Sequence, residues 1–180
     1  MAPEEFILLG DALWLDFVNS ARGRTVPPAD RLPDPAAWAR WAALQHLDLG
    51  DSVPFGEVLE LRTHLIGLAE SLHHGRVASS AVIAALNRHL GLSAGHQQLT
   101  RVGGDWRIRF AASRPPAALE AIARSAAATL AETRVAVRRC GAESCSLFFT
   151  DDTPTGSRRW CDATACGRHG GIERRRGAHR

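Results

Sequence analysis

The sequence predicts a mainly α-helical fold of the α+β class: a helical body with one β-hairpin, followed by a small four-cysteine module. Leucine, alanine and tryptophan recur at helical spacing through most of the chain. One Gly-Gly pair lies between alternating apolar residues, as in a tight hairpin. All four cysteines lie in the last quarter. With 180 residues, the chain can form one ordinary domain and a small additional module.

Four helices are predicted before the hairpin. The first, 11–19, has Asp11 as its N-cap and four apolar side chains on one face: Leu13, Trp14, Phe17 and Val18. The second begins at Asp34-Pro35, a capping residue followed by proline at the first helical position. The third has leucines at steps of four, three and four, and it ends at Gly75: Leu61, Leu65, Leu68 and Leu72. The fourth is capped by Ser79 or Ser80 and ends at Gly91.

The hairpin and a fifth helix follow. Gly103-Gly104 separates the two arms, Leu99–Val102 and Trp106–Phe110. The fifth helix starts near Pro115-Pro116 and is expected to end near Arg139, so that it delivers Cys140 directly. Its inward stripe comprises Leu119, Ile122, Ala126, Leu130, Thr133 and Val137.

Two polar side chains stand out in the apolar first helix. Asp16 and Asn19 are three residues apart and therefore share one edge of it. They are candidate ligand-binding residues of a small-molecule pocket between helices. The alternative is that they bond to a neighbouring backbone group.

Several functional classes do not fit the sequence. No apolar run approaches the roughly 18 residues of a membrane span, and Glu4 and Glu5 lie where a signal peptide would be basic. We therefore expect a cytoplasmic protein that does not contact a membrane. The chain has no Gly-rich phosphate loop, Gly-x-Ser-x-Gly or His-Glu-x-x-His motif, so no enzyme is predicted.

Basic charge is concentrated at the C-terminal end. Residues 134–180 contain ten arginines and five acidic residues, which gives this segment a net charge of +5. Because the whole chain has a net charge of +3, residues 1–133 have a net charge of −2. Arginine forms bidentate contacts with phosphates and guanine edges. The candidate nucleic-acid-binding residues are Arg158, Arg159, Arg168, Arg174, Arg175 and Arg176. There are two alternatives. The C-terminal arginines form a solvated tail, or one of Arg158 and Arg159 braces the module through Asp151 or Asp152.

The cysteines have the spacing of a metal site. Cys140 and Cys145 form one C-x4-C pair, and Cys161 and Cys166 form a second after fifteen residues. Four thiolates suit tetrahedral Zn²⁺ and leave no open position for catalysis, so a structural zinc is predicted. A zinc-free thiol cluster and substitution of one ligand by His169 are the alternatives.

These motifs resemble the CGNR-type zinc finger of bacterial proteins. The resemblance rests on Arg139-Cys140, Cys145, Phe149-Thr150-Asp151, Arg159-Trp160-Cys161 and Cys166-Gly167. In that family an ABATE domain precedes the finger, with a Leu-Asp-Phe-x-Asn motif and a later Leu-Arg, which are similar to Leu15–Asn19 and Leu61-Arg62 here. The resemblance implies a stress-induced transcription regulator that binds zinc and DNA.

The sequence departs from that family at the motif that names it. After Cys166-Gly167, Arg168 replaces the asparagine, and His169 stands where the family has arginine. Gly170-Gly171 then interrupts what would be a helix start, at about 1 kcal/mol per glycine relative to alanine. All four cysteines remain, so zinc binding is still expected.

We predict two domains, an ABATE-like helical domain over 1–137 and a zinc finger with a basic tail over 138–180. The predicted function is a zinc-binding, DNA-binding transcription regulator, with a helical domain that senses a ligand. The alternative is a zinc-stabilised module that docks on an acidic protein partner. A redox switch, in which thiolate oxidation releases zinc, is compatible with either role.

Overall fold

The computed structural model describes residues 5–23, 29–50, 53–132 and 135–167. Within them the predicted fold is confirmed: a mostly helical body with a hairpin, and then a small sheet beside the cysteines. The elements are α1 (Leu13–Asn19), α2 (Pro35–Leu44), α3 (Phe55–His73), α4 (Ser80–Leu90), β1 (Gly95–Val102), β2 (Asp105–Ala112), α5 (Ala118–Ala131), β3 (Ala136–Arg139) and β4 (Phe148–Asp151). Among these described helices, none is both long and apolar enough to cross a membrane.

The core of the body forms around α1, in which Trp14, Phe17 and Val18 are fully buried and Leu13 is partly buried. The Phe17 ring lies 5.7 Å from the ring of Trp38 and 5.4 Å from that of Trp41, measured between centroids. The predicted leucine stripe of α3 packs on the same core. Burial of each such side chain contributes about 1.5–3 kcal/mol, so α1 is held mainly by tertiary packing.

Most of the predicted helix ends are confirmed. The Asp34 carboxylate accepts a hydrogen bond from the Ala37 N–H at 2.7 Å, and the Ser79 hydroxyl accepts one from the Val82 N–H at 3.3 Å. Gly75, which follows α3, has a φ of +66°, a left-handed conformation that favours glycine.

The prediction that Asp11 caps α1 is wrong. The helix begins at Leu13, and Ala12 occupies the N-cap position without a side-chain bond. Asp16 closes this turn instead, because its Oδ1 accepts a hydrogen bond from the Gly10 N–H at 2.8 Å. The Asp11 carboxylate pairs with Arg158.

The predicted extension of the fifth helix to Arg139 is also wrong. α5 ends at Ala131, and β3, which pairs antiparallel with β4, delivers Cys140. Val137 is buried as predicted, but from a strand opposite Thr150, and Thr133 lies outside the described residues. The β-branched Val135 and Val137 alternate with other residues, a local pattern that favours a strand, and β4 supplies its hydrogen bonds.

β4 separates two apolar clusters. Phe148 packs with Val137 in the core of the body, whereas the next residue, Phe149, packs among the cysteines. The N-terminal segment contributes Ile7 and Leu9 to the cysteine cluster, and the Gly10 carbonyl accepts a hydrogen bond from the Thr150 N–H. Packing is therefore continuous across the division predicted at residues 137 and 138, and the domain assignment itself stays a prediction.

The predicted hairpin is confirmed and is longer than its predicted arms. β1 and β2 pair over eight residues each around Gly103-Gly104. Both glycines have positive φ, +60° and +96°, as expected for the mirror-image turns that suit the twist of a hairpin.

The shared core makes a prediction for Phe148→Ala. Phe148 is fully buried against the body. Its truncation should therefore lower the free energy of unfolding of the whole described chain by about 3–5 kcal/mol. Val77→Ala is the control, because Val77 is 89% exposed and its loss should cost less than about 0.5 kcal/mol. Denaturant unfolding followed by helix circular dichroism at fixed free zinc measures both values; an unchanged helix transition in Phe148→Ala would contradict the shared core.

Candidate metal centre

Two tight backbone turns present the four cysteines. Cys140 follows β3, and its N–H donates to the Leu147 carbonyl at 2.9 Å, while the Cys145 N–H donates to the Ala142 carbonyl at 3.0 Å. Cys161 lies two residues before a short π-helical turn, Ala163–Gly167, and Cys166 lies within this turn. The Cys166 N–H donates to the Asp162 carbonyl at 2.9 Å. The Gly141 N–H donates to the Arg159 carbonyl at 2.9 Å and ties the two halves together.

The four sulfur atoms meet the geometric requirement of a zinc site. All four Sγ atoms lie within 4.8 Å of one another, with 3.8 Å between Cys145 and Cys161 and 3.7 Å between Cys161 and Cys166. A tetrahedral site with Zn–S bonds of about 2.3 Å separates its sulfurs by about 3.8 Å. Disulfide sulfurs would lie at about 2.05 Å, and all four cysteines are free. The four-cysteine cluster is therefore consistent with Zn²⁺.

The four thiols influence one another's ionisation. Hydrogen bonds from the thiols of Cys145 and Cys161 hold the pKa of Cys140 far below its ordinary value. The bond to Cys140 raises the pKa of Cys145 to about 12. The bonds to Cys140 and Cys145 raise the pKa of Cys161. Burial is the main cause of the raised pKa of Cys166. Since close thiolates repel one another, they need a bound dication to be ionised together.

An apolar shell covers the cysteines. Leu147 and Phe149 are fully buried, and Ile7 is nearly so, in contact with the same cluster. The ring of Trp160 is half-buried and lies against Gly167. These aromatic side chains therefore pack around the cysteines, and Phe149 offers no exposed face for stacking on a base.

Arg158 braces the module. Its guanidinium donates to the carbonyls of Cys161 at 2.7 Å and Thr150 at 3.3 Å, and it pairs with the Asp11 carboxylate. It also lies 4.5 Å from the centroid of the Phe149 ring. Because Arg158 binds one cysteine carbonyl, one strand and the N-terminal segment at once, its guanidinium is already occupied.

A buried carboxylate supports the same loop. Asp151 accepts hydrogen bonds from the Arg138 Nε at 2.7 Å, the Thr153 hydroxyl at 2.6 Å and the Arg158 N–H at 3.1 Å. Burial opposes ionisation of Asp151, but these donors outweigh it and hold the pKa of its carboxyl below the ordinary value.

Arg159 is the exposed member of the predicted arginine pair. Its guanidinium lies 5.4 Å from the Trp160 ring, and its side chain faces solvent. Arg139 is also exposed beside the first cysteine. The other predicted nucleic-acid-binding residues, Arg168, Arg174, Arg175 and Arg176, lie outside the described residues, as does His169.

Asn19 joins α1 to the module. It is fully buried; its Nδ2 donates to the Phe148 carbonyl at 2.8 Å, and its Oδ1 accepts from the Phe148 N–H at 2.9 Å. The amide thus pairs with the backbone at the start of β4 as a neighbouring strand would. This is the contact to a backbone group that the sequence left open as an alternative.

Asp16 also makes intramolecular contacts. Its two carboxylate oxygens accept from the Gly10 N–H and from the Gln45 Nε2, at 2.8 and 3.2 Å. Burial raises its pKa despite these bonds. A cleft of about 590 Å³ lies elsewhere, and neither Asp16 nor Asn19 lines it; its walls comprise Asp48, Gly50, Val53, Leu92, Arg114, Pro115 and Ala117.

Sequence reasoning missed the role of Arg62 beyond its place in a Leu-Arg motif. Its buried guanidinium donates to both oxygens of Asp30, at 2.8 and 2.7 Å, and to the Ser20 hydroxyl at 3.1 Å. Burial opposes ionisation of Asp30, yet the bonds from Arg62 lower the pKa of that carboxyl. Arg62 therefore fixes the end of α1, one residue beyond Asn19.

His73 connects α3 to the strand that leads to Cys140. Its Nδ1 accepts a hydrogen bond from the Arg139 N–H at 3.3 Å, and its ring meets the Phe148 ring edge-on at 6.1 Å between centroids. Burial, followed by the neighbouring His74, lowers the pKa of His73. The lowered pKa favours the neutral ring, in which Nδ1 can accept this bond.

Comparison with known families agrees with the geometry. The ABATE family, described as "putative stress-induced transcription regulator", matches residues 11–133. The CGNR zinc finger family matches residues 136–177. Neither description names a catalytic activity. Comparison with functionally curated proteins gives no significant match.

The two hydrogen bonds between the Asn19 amide and the Phe148 backbone, which we call the Asn19 clamp, lead to a prediction for Asn19→Leu. Leucine preserves the volume but leaves the buried N–H and carbonyl of Phe148 without these partners, which should cost about 2–4 kcal/mol of unfolding free energy. Asn87→Leu is the matched control, since Asn87 is exposed on α4 and should change stability little. Thermal unfolding with zinc in excess measures both; equal stability of the two variants would show that the clamp contributes nothing.

Proposed function

The chain belongs to the ABATE family of stress-linked transcription regulators, with a CGNR zinc finger after the ABATE domain, and we propose that it is a zinc-dependent, DNA-binding regulator that acts in the cytoplasm. The observation that carries the proposal is the cluster of four sulfurs within 4.8 Å, beside exposed arginines.

We assign Cys140, Cys145, Cys161 and Cys166 as the zinc ligands. Bound zinc would supply a structural cross-link between the two cysteine pairs and would stabilise the thiolate form. The chain's own residues prepare the site: Arg158 binds the Cys161 carbonyl, and Phe149 and Ile7 exclude water. Four cysteines occupy every tetrahedral position, so no catalytic role is proposed.

In this proposal, Arg159 and Arg139 contact DNA phosphates together with Arg168, Arg174, Arg175 and Arg176. The first two arginines are exposed on the described part of the module. Arg158 was also a candidate, but its guanidinium binds Asp11 and three backbone carbonyls of the chain. We therefore propose that Arg158 positions the zinc loop and does not contact phosphate.

The roles of Asp16 and Asn19 follow from their partners. Both side chains bond to the backbone of the chain, at Gly10 and Phe148. We propose that they position the N-terminal segment and β4. Any ligand that the helical domain senses would then bind elsewhere.

A second candidate function is docking on an acidic protein partner through the same arginines. It is favoured by Gly170-Gly171, which interrupts the sequence where a recognition helix would begin. A partner that is captured by the full chain and survives nuclease treatment would support docking, whereas a nuclease-sensitive association would support DNA binding.

The assignment of the ligands makes a prediction for Cys161→Ser. Serine is a poor substitute for a thiolate, so tight zinc binding should be lost. The segment after Cys140 should become sensitive to protease, because its few large apolar side chains cannot replace the apparent ~10–16 kcal/mol of a structural zinc. Elemental analysis and limited proteolysis measure the two effects. Ser144→Ala, at an exposed position between the first two cysteines, serves as a control outside the ligand set. Retention of one zinc and full protease resistance in Cys161→Ser would refute the assignment.

The DNA interface makes a prediction for Arg159→Gln. If Arg159 neutralises one phosphate, its loss should reduce the slope of log K against log salt by about 0.9. Arg76→Gln removes the same charge from an exposed position in the body and should leave the slope unchanged. Titration of genomic DNA fragments at several salt concentrations tests both variants. Absence of DNA binding by the zinc-loaded wild type at low salt would contradict the proposed function.

A further inference from the structure

The β1–β2 hairpin has two chemically different faces. The pairing of Leu99 with Ile108 and of Arg101 with Trp106 sets the register. Alternation along the strands then places four large apolar side chains on one face: Leu99, Trp106, Ile108 and Phe110. We call this set the apolar hairpin face.

The apolar hairpin face is exposed. The exposed fractions are 61% for Leu99, 66% for Trp106, 72% for Ile108 and 47% for Phe110. Nearly every other residue of the two strands is exposed as well, so no described helix covers this sheet. A solitary two-stranded hairpin is marginally stable in water, and contiguous apolar patches of this kind mark interaction sites.

The opposite face carries the charge of the hairpin. Gln98 faces Arg109 and Thr100 faces Arg107 across the strands, and both arginines are exposed. The apolar hairpin face has one cation, Arg101, whose guanidinium lies 5.9 Å from the Trp106 ring. A polyanion or an acidic peptide would therefore select the opposite face, and the apolar hairpin face is suited to another apolar protein surface.

We propose that the apolar hairpin face binds the same face of a second copy of this chain. The exposed parts of its four large side chains amount to on the order of 500 Å² per copy. Two copies would bury about 1,000 Å², which reaches the minimum for a biological interface and is typical of weak, reversible dimers. Each strand also has one edge free of a strand partner in the described sheet, so the pairing can be extended.

The apolar hairpin face is complementary to itself. Arg101 lies next to the turn, and Phe110 lies at the base of the hairpin, where its ring covers Gly95. A two-fold axis through the middle of the face brings the turn of one copy to the base of the other. The cation of each copy then faces the aromatic ring of its partner, a favourable cation–π arrangement. This proposal is independent of zinc and DNA binding.

Sedimentation velocity of the full, zinc-loaded chain tests the proposal with Ile108→Glu. The wild type should form dimers over about 1–100 µM. A charge at the centre of the face should raise the dissociation constant at least about 30-fold. Gln98→Glu introduces the same charge on the opposite face of the same hairpin and should leave the constant within about twofold.

Hydrogen exchange of the wild type provides a second measurement that does not depend on a variant. The amides of 95–112 should gain protection as the concentration rises through the dimer range. A wild type that stays monomeric, a dimer that Ile108→Glu and Gln98→Glu weaken equally, or hairpin amides with the same exchange at all concentrations would each overturn the proposal. Burial of the hairpin only after addition of DNA or of a different protein would overturn it as well.

Discussion

The structure depends on the pair of hydrogen bonds between the Asn19 amide and the backbone of Phe148. The two groups are 129 residues apart in sequence, fully buried, and joined by bonds of 2.8 and 2.9 Å. Ser20, the residue that follows Asn19, accepts a hydrogen bond from Arg62 of α3. The position of Asn19 therefore depends on both α1 and α3. Because unpaired polar groups in this core would be costly, the clamp specifies where β4 begins.

The position of β4 determines how the body and the cysteine module are coupled. Phe148 packs on α1 and α3, while its neighbour Phe149 packs on the thiols. The N-terminal segment reinforces the connection through Ile7 and through the Arg158–Asp11 ion pair. Structural zinc supplies an apparent ~10–16 kcal/mol in isolated fingers, and through these contacts we expect its binding to stabilise residues far from the metal as well. A change at the thiolates would reach the helical domain through these packed side chains.

Local sequence patterns correctly predicted the structural features that depend on neighbouring residues. The Asp34 and Ser79 caps, the leucines of α3 and the Gly103-Gly104 turn each depend on residues within a few positions. The four cysteines were recognised from their residue type and paired spacing alone. The errors arose where distant residues decide. Val137 fits either a helical stripe or a strand, and only pairing with β4 selects the strand. The partners of Arg158 and Asn19 are likewise distant in sequence, and the tail that carries most candidate DNA contacts lies outside the described residues.

Hydrogen exchange of the α1 amides in the presence and absence of zinc tests the central claim most directly. If β4 couples the module to the body, removal of zinc by a chelator at neutral pH should increase exchange in α1 as well as in residues 135–167. The amides of α4, which lies farther along the helical body, should change less. Faster exchange confined to residues after 135, with α1 protected as in the zinc-bound chain, would contradict the coupling.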